Sequence, residues 1–121
     1  SQTISDSQIH TDIPPWLCQT VDALKRPEIM REGIQGLVRV SGRSQEHLTR
    51  QLKKYYHQTP SQIINKIRID RAQELLSATN LPILEISMRV GYESVSYFNR
   101  LFMQQVGMSP RDYRNSLQNF I

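Results

Sequence analysis

Much is missing from this chain, and each absence removes a class of protein. A single cysteine, Cys18, cannot close an intramolecular disulfide and suits a reducing cytoplasm. No apolar run approaches a membrane span, and no secretory leader is visible, so no membrane partner is expected. His10, His47 and His57 are too scattered to gather a metal, and one cysteine cannot complete such a site. There is no glycine-rich phosphate loop of the Walker or Rossmann kind. Serine, histidine and aspartate are all present, but nothing places them as a triad, which geometry rather than composition defines. Neither cofactor, metal nor catalytic activity is expected.

The 121 residues suffice for one domain with a core that needs no disulfide or metal. The first residue is Ser rather than Met, and the expectation is a fragment of a longer protein. The formal net charge of +4 is unevenly spread. Residues 1–36 hold five acidic and three basic side chains, whereas residues 37–121 hold six and twelve. The positive charge therefore lies in the C-terminal two thirds, where attraction to a polyanion is useful.

That basic part repeats itself. Ser44 is answered by Ser94, Leu48 by Phe98, Arg50 by Arg100, Leu52 by Phe102 and Thr59-Pro60 by Ser109-Pro110, always fifty residues later. Upstream, Leu37 and Gly42 are answered by Ile86 and Gly91 with one residue fewer between copies. The second copy thus carries one extra residue between its glycine and its serine. A repeat of this length is a supersecondary unit used twice. Short helix, glycine turn and serine-capped helix are the grammar of a helix-turn-helix, and two such units in a basic domain point to DNA.

The expected fold is all-α, with about seven helices and no strand. Residues 1–11 lack an apolar period and read as a tail, leaving residues 12–121 as the domain. Asp12-Ile-Pro-Pro-Trp16 looks like a helix entry. Leu17, Val21 and Leu24 give that helix an apolar face, with Trp16 as its anchor. Arg26-Pro27 breaks it. A first helix-turn-helix is expected over about residues 31–57, starting with a helix over about 31–41. The linker helix, about 60–79, starts at Thr59-Pro60-Ser61-Gln62, a cap, a first-position proline and a glutamine at the third position. Its pattern of Ile63, Ile64, Ile67, Ala72, Leu75 and Leu76 reads as one amphipathic helix. A second helix-turn-helix follows over about 83–106, and Ser109 with Asp112 caps a last helix. The tyrosines Tyr55, Tyr56, Tyr92, Tyr97 and Tyr113 fall at packing positions and read as core with a polar tip.

In the helix 45–56, Leu48, Leu52 and Tyr55 turn inward, so Gln45, Glu46, Thr49, Arg50 and Lys53 face solvent. In the helix 95–106, Phe98, Leu101 and Phe102 turn inward, so Val95, Ser96, Asn99, Arg100 and Met103 look out. A recognition helix offers such positions to base edges: Arg bonds guanine, Asn bonds adenine, and an apolar group senses the thymine methyl. Gln45, Glu46, Thr49, Arg50, Val95, Ser96, Asn99 and Arg100 are the candidate base readers. Ser44, Lys53, Lys54, Arg68, Arg71 and Ser94 are the candidate phosphate contacts, which give affinity without sequence information. His47 reads as a surface or partly packed residue, with a phosphate contact as the alternative.

The stretch Gly91-Tyr-Glu-Ser-Val-Ser-Tyr-Phe-Asn-Arg-Leu-Phe102, followed by Gly107-Met-Ser-Pro-Arg-Asp-Tyr-Arg114, resembles the signature of the AraC/XylS family of bacterial transcription regulators. Ser44 to Leu76 is similar to that family's first helix-turn-helix and linker helix, so the resemblance covers about residues 14–118. It implies a bi-lobed, seven-helix DNA-binding domain in the bacterial cytoplasm, at the nucleoid. Its partners would be a double-stranded operator and, in the parent protein, an N-terminal effector-binding domain. Carried over by position, the base contacts are Glu46, Thr49 and Arg50, then Ser96, Asn99 and Arg100. Two departures stand out: Met103 where the family has a basic residue, and the acidic Glu46 on a reading face. Asp12-Ile-Pro-Pro-Trp-Leu17 and Tyr55 to Asp70 are most similar to family members that control a carbohydrate-utilisation operon. The alternative is a protein-interaction module that docks on RNA polymerase and binds DNA weakly.

Overall fold

Proline and serine punctuate the chain, and every described α-helix but the one after Gly33 begins where they stand. The computed structural model describes residues 12–118, so the tail expected over residues 1–11 lies outside the described range. Among the described residues there are eight α-helices and no strand. They are α1 (Pro15–Asp22), α2 (Pro27–Glu32), α3 (Ile34–Ser41), α4 (Gln45–Tyr56), α5 (Pro60–Ala78), α6 (Ile83–Arg89), α7 (Val95–Val106) and α8 (Pro110–Gln118), with a 3₁₀ turn at Ala23–Lys25.

The repeated helices use the same devices. Ser44 Oγ accepts from His47 N–H at 3.1 Å to start α4, and Ser94 Oγ accepts from Tyr97 N–H at 3.2 Å to start α7. Both end on a left-handed residue, His57 at φ 59° and Gly107 at φ 91°. Thr59 and Gln62 form the reciprocal capping box of α5, with bonds of 3.1 and 2.8 Å. At the start of α8, Ser109 Oγ accepts from Asp112 N–H at 3.1 Å.

One expected helix is two. The segment 31–41 is split between α2 and α3, which accounts for eight helices rather than about seven. Pro27 sits at the first position of α2 and starts it early. Gly33 then adopts φ 68°, ψ −128°, a conformation that a side chain resists, and the chain turns before α3.

Two cores result. Leu17, Leu24, Ile29, Leu37, Leu48 and Leu52 are fully buried in the first, with Ile63 and Ile64 from α5. Ile69, Ala72, Leu76, Ile86, Val90, Phe98 and Phe102 fill the second. The linker helix is therefore not amphipathic along one stripe, as its pattern suggested. Its N-terminal isoleucines serve one lobe, and its C-terminal apolar residues serve the other. Ile67 packs against both cores, and Met30 of α2 is buried in the second. The lobes are welded through α5, which at 19 residues and ~1.5 Å per residue is about 28 Å long.

Candidate nucleic-acid interface

The buried stripe of α4 fixes what its other side shows. With Leu48 and Leu52 fully buried, Gln45, Glu46, Arg50 and Lys53 are exposed and Thr49 is half-buried. In α7, burial of Phe98 and Phe102 leaves Ser96, Asn99, Arg100 and Met103 exposed and Val95 half-buried. None of the candidate base readers is in a core. Arg50 and Arg100 occupy equivalent places on the two helices, as the fifty-residue repeat requires.

The basic side chains divide by what they pair with. Arg26, Arg39, Lys66, Arg71 and Arg89 each form an ion pair with a nearby carboxylate. Lys25 and Arg31 near α2 have no such partner among the described residues, Arg68 and Arg114 bond backbone carbonyls, and Arg43, Arg50, Lys53, Lys54, Arg100 and Arg111 are the remaining unpaired cations. Those last six lie on α4 and α7 or on the turns and helix starts beside them. An anion approaching there meets charge not already spent on a neighbour.

Aromatic rings brace both helices. Trp16 stacks on His47 with ring centroids 5.8 Å apart, and the Arg43 guanidinium lies 3.9 Å from the Trp16 ring centroid. His47 is thus partly packed, and α1 supports the entry of α4. On α7, the Arg100 guanidinium lies 5.2 Å from the ring of Tyr97, one helical turn back. Tyr97 is 42% exposed, so it is not the core residue expected. Its ring meets Tyr92 edge-on at 5.9 Å and carries Arg100 on the outer side. Lys54 similarly lies 5.2 Å from the Tyr55 ring. Sequence reasoning missed Arg43 and Tyr97. The signal was present in both cases, in a basic residue in the first turn and in the three-residue spacing of Tyr97 and Arg100.

The candidate phosphate contacts fare differently. Lys53 and Lys54 are exposed on the last turn of α4. The Ser44 and Ser94 oxygens accept helix-capping bonds, and each hydroxyl still has a proton to donate. Arg71 is exposed and paired with Glu74 at 3.0 Å. Arg68 needs correction as a free clamp, because its guanidinium is turned into the protein. Its Nε donates to Met30 O at 3.0 Å and its Nη2 to Arg31 O at 3.3 Å. It also lies 4.9 Å over the Tyr92 ring, and burial lowers its affinity for its proton. Met103 is exposed and lines an open groove with Asn99, Arg100 and Arg111. Glu46 sits in the first turn of α4, where the helix dipole favours an acid.

Among the described residues, no three His, Cys, Asp or Glu side chains gather as a metal site requires. No described helix is long and apolar enough to cross a membrane.

Two capped, outward-facing helices on the ends of a shared linker define a double helix-turn-helix DNA-binding domain. A family model described as a helix-turn-helix domain matches residues 37–116. The chain is 30% identical over 114 residues to the regulatory protein SoxS of Escherichia coli (strain K12), covering 94% of this chain and all of SoxS. It is 38% identical over 76 residues to the transcriptional regulator YdiP of the same organism, covering 63% of this chain and 25% of YdiP. The structure is similar to the C-terminal domain of AraT, a response regulator from Geobacillus stearothermophilus, with a TM-score of 0.77 and 28% identity over 87% of this chain and 88% of that one. The chain belongs to the AraC-type helix-turn-helix family of bacterial transcription regulators. It spans only about a quarter of the length of YdiP.

Proposed function

We propose that the chain binds one asymmetric double-stranded operator, with α4 and α7 entering adjacent major grooves on one side of the duplex. The observation that carries this reading is the pair of equivalent solvent faces. Each bears an arginine, Arg50 or Arg100, without a carboxylate partner among the described residues. Gln45, Glu46, Thr49 and Arg50 read one block of bases, and Val95, Ser96, Asn99 and Arg100 read the other. Lys53, Lys54, Arg71 and the two capping serines hold the phosphates, which position the domain without reading sequence. In this reading the domain extends over residues 12–121 as the C-terminal part of a longer cytoplasmic regulator, behind an N-terminal effector-binding domain. The likeness of residues 12–17 and 55–70 to family members that control a carbohydrate-utilisation operon supports such an operon as the target.

Selection of bound sequences from a random duplex pool at near-physiological salt tests the proposal. Two short informative blocks about one helical turn apart support it. A single block restricts base reading to one lobe.

A docking role on RNA polymerase is the second reading. It is favoured by Leu84 and Met88, 57% and 56% exposed and one turn apart on α6. Salt separates the two. Binding through several phosphates loses roughly a thousandfold or more between about 50 and 200 mM salt, whereas an apolar protein contact loses little.

A further inference from the structure

The two copies of the repeat differ in length by one residue, and the longer turn lies where the lobes meet. The first turn reads Gly42-Arg43-Ser44 and the second Gly91-Tyr92-Glu93-Ser94. The longer turn buries Tyr92, whose hydroxyl donates to Asn65 Oδ1 at 2.7 Å in the N-terminal third of α5. Over its ring, 4.9 Å away, lies the guanidinium of Arg68.

Arg68 reaches the other lobe as well. Its bonds to the carbonyls of Met30 and Arg31, at 3.0 and 3.3 Å, engage acceptors in the last turn of α2. Such carbonyls have no partner within their own helix. One glycine from each lobe opens the passage. A Cβ on Gly33 would lie 2.8 Å from Arg68 Nη2, and one on Gly91 would lie 2.6 Å from the same atom. A side chain at either position would force the guanidinium to shift from where it now lies. Arginine suits this place because its planar fork stacks on a ring while donating in its own plane, which a lysine cannot do.

We propose that Arg68 locks the two lobes at a fixed mutual geometry and thereby sets the spacing between the two blocks of DNA that the protein accepts. The second half of that statement rests on the operator-binding reading; the first does not. With the lobes locked, α4 and α7 present their faces in one register. An added base pair moves the second block by about 3.4 Å and turns it by roughly 35°, given about 10 base pairs per turn. A locked protein cannot follow such a shift, so one reader disengages.

The test compares the 121-residue chain with its Arg68→Lys variant, in which the charge remains and the fork is lost. Arg68→Met, which keeps most of the stem, is measured beside it and stands in for it if the lysine variant does not fold. The first readout needs no DNA. Backbone N–H residual dipolar couplings from both lobes of the wild type should fit one alignment tensor. In the variant the two lobes should require tensors of different magnitude. The second readout inserts one base pair between the blocks of the selected duplex. Losing simultaneous engagement should weaken the wild type by about a hundredfold and the variant by less than about tenfold. One shared tensor in both proteins, with identical spacing profiles, would overturn the lock. So would a lysine variant that binds every spacing as the wild type does while methionine weakens all spacings alike, since that is the behaviour of a phosphate contact. If the wild type selects no duplex, the operator-binding reading fails, and the couplings still decide the lock.

Discussion

The Tyr92 hydroxyl donates to Asn65 Oδ1 at 2.7 Å, tying the second turn to the linker helix with a single side-chain bond. Tyr92→Phe keeps the ring under Arg68 and removes only that bond. It should cost about 1–2 kcal/mol, the range for leaving one partner of a half-buried bond unmade, measured as a shift in the urea midpoint with an unchanged slope. Burial pushes the Tyr92 phenol up to about 12 from its ordinary 10.0, and burial followed by a bond to Cys18 does the same for Tyr56. Both groups favour the protonated form in the folded state. Their contribution is therefore complete below pH 10.0 and is lost as the pH rises towards about 12. The alkaline loss of stability should shrink in Tyr92→Phe and shrink again in the double variant with Tyr56→Phe.

Arg114 holds the end of the linker helix. Its three guanidinium nitrogens donate to the carbonyls of Leu76, Thr79 and Leu81 at 3.1, 3.1 and 2.8 Å. No neutral or ammonium side chain spans three acceptors in that fork. Arg114→Ala should cost about 2–4 kcal/mol, because charge-assisted bonds vanish and half-buried carbonyls lose their donors. Arg114→Lys should recover less than half of the loss in urea melts. Full recovery would mean that charge alone matters there.

Arg50 and Arg100 should act on specificity rather than stability. Each is exposed, so alanine at either position should leave the melting temperature nearly unchanged. On a selected operator each substitution should weaken binding by about 1–3 kcal/mol and relax preference within one block only. Arg50→Ala should affect the block opposite α4, and Arg100→Ala the block opposite α7. Tyr97→Ala should mimic part of the second effect, since the ring carries the Arg100 guanidinium. Competition binding against single-base variants of the site measures all three.

Two glycines with positive φ should respond differently to the same change. A Cβ on Gly42, at φ 68°, meets nothing within 4 Å, so Gly42→Ala should cost only the backbone strain of about 1–2 kcal/mol. Gly91→Ala adds a clash with the Arg68 guanidinium at 2.6 Å and should cost clearly more in the same chemical melt. Equal costs would show that Arg68 moves aside freely.

Much of the fold was legible because the repeat encodes local devices. Ser44, Ser94, Thr59 and Ser109 are helix starts in any context, and Leu48, Leu52, Phe98 and Phe102 define an inner face by spacing alone. Three features were not legible. Gly33 divides the expected helix 31–41, because its positive φ is chosen by the packing of α2 against its neighbours rather than by its own lack of a side chain. Tyr97 is exposed because its helix faces the gap between lobes there, and periodicity does not show where a neighbouring lobe ends. Arg68 occupies a polar position of α5 that reads as surface, and its partners are carbonyls 37 and 38 residues away.

By itself the sequence determined that this protein is helical, that it uses one helix-turn-helix twice, and which side chains α4 and α7 turn to solvent. Those properties follow from caps, turns and the helical period, which act within a few residues. Only the tertiary structure decided how the two helix-turn-helix lobes are held together. That outcome depends on a guanidinium passing between Gly33 and Gly91 and on Met30 crossing into the second core. Contacts between residues so distant in the chain leave no local pattern, because their geometry exists only once both lobes have packed on α5.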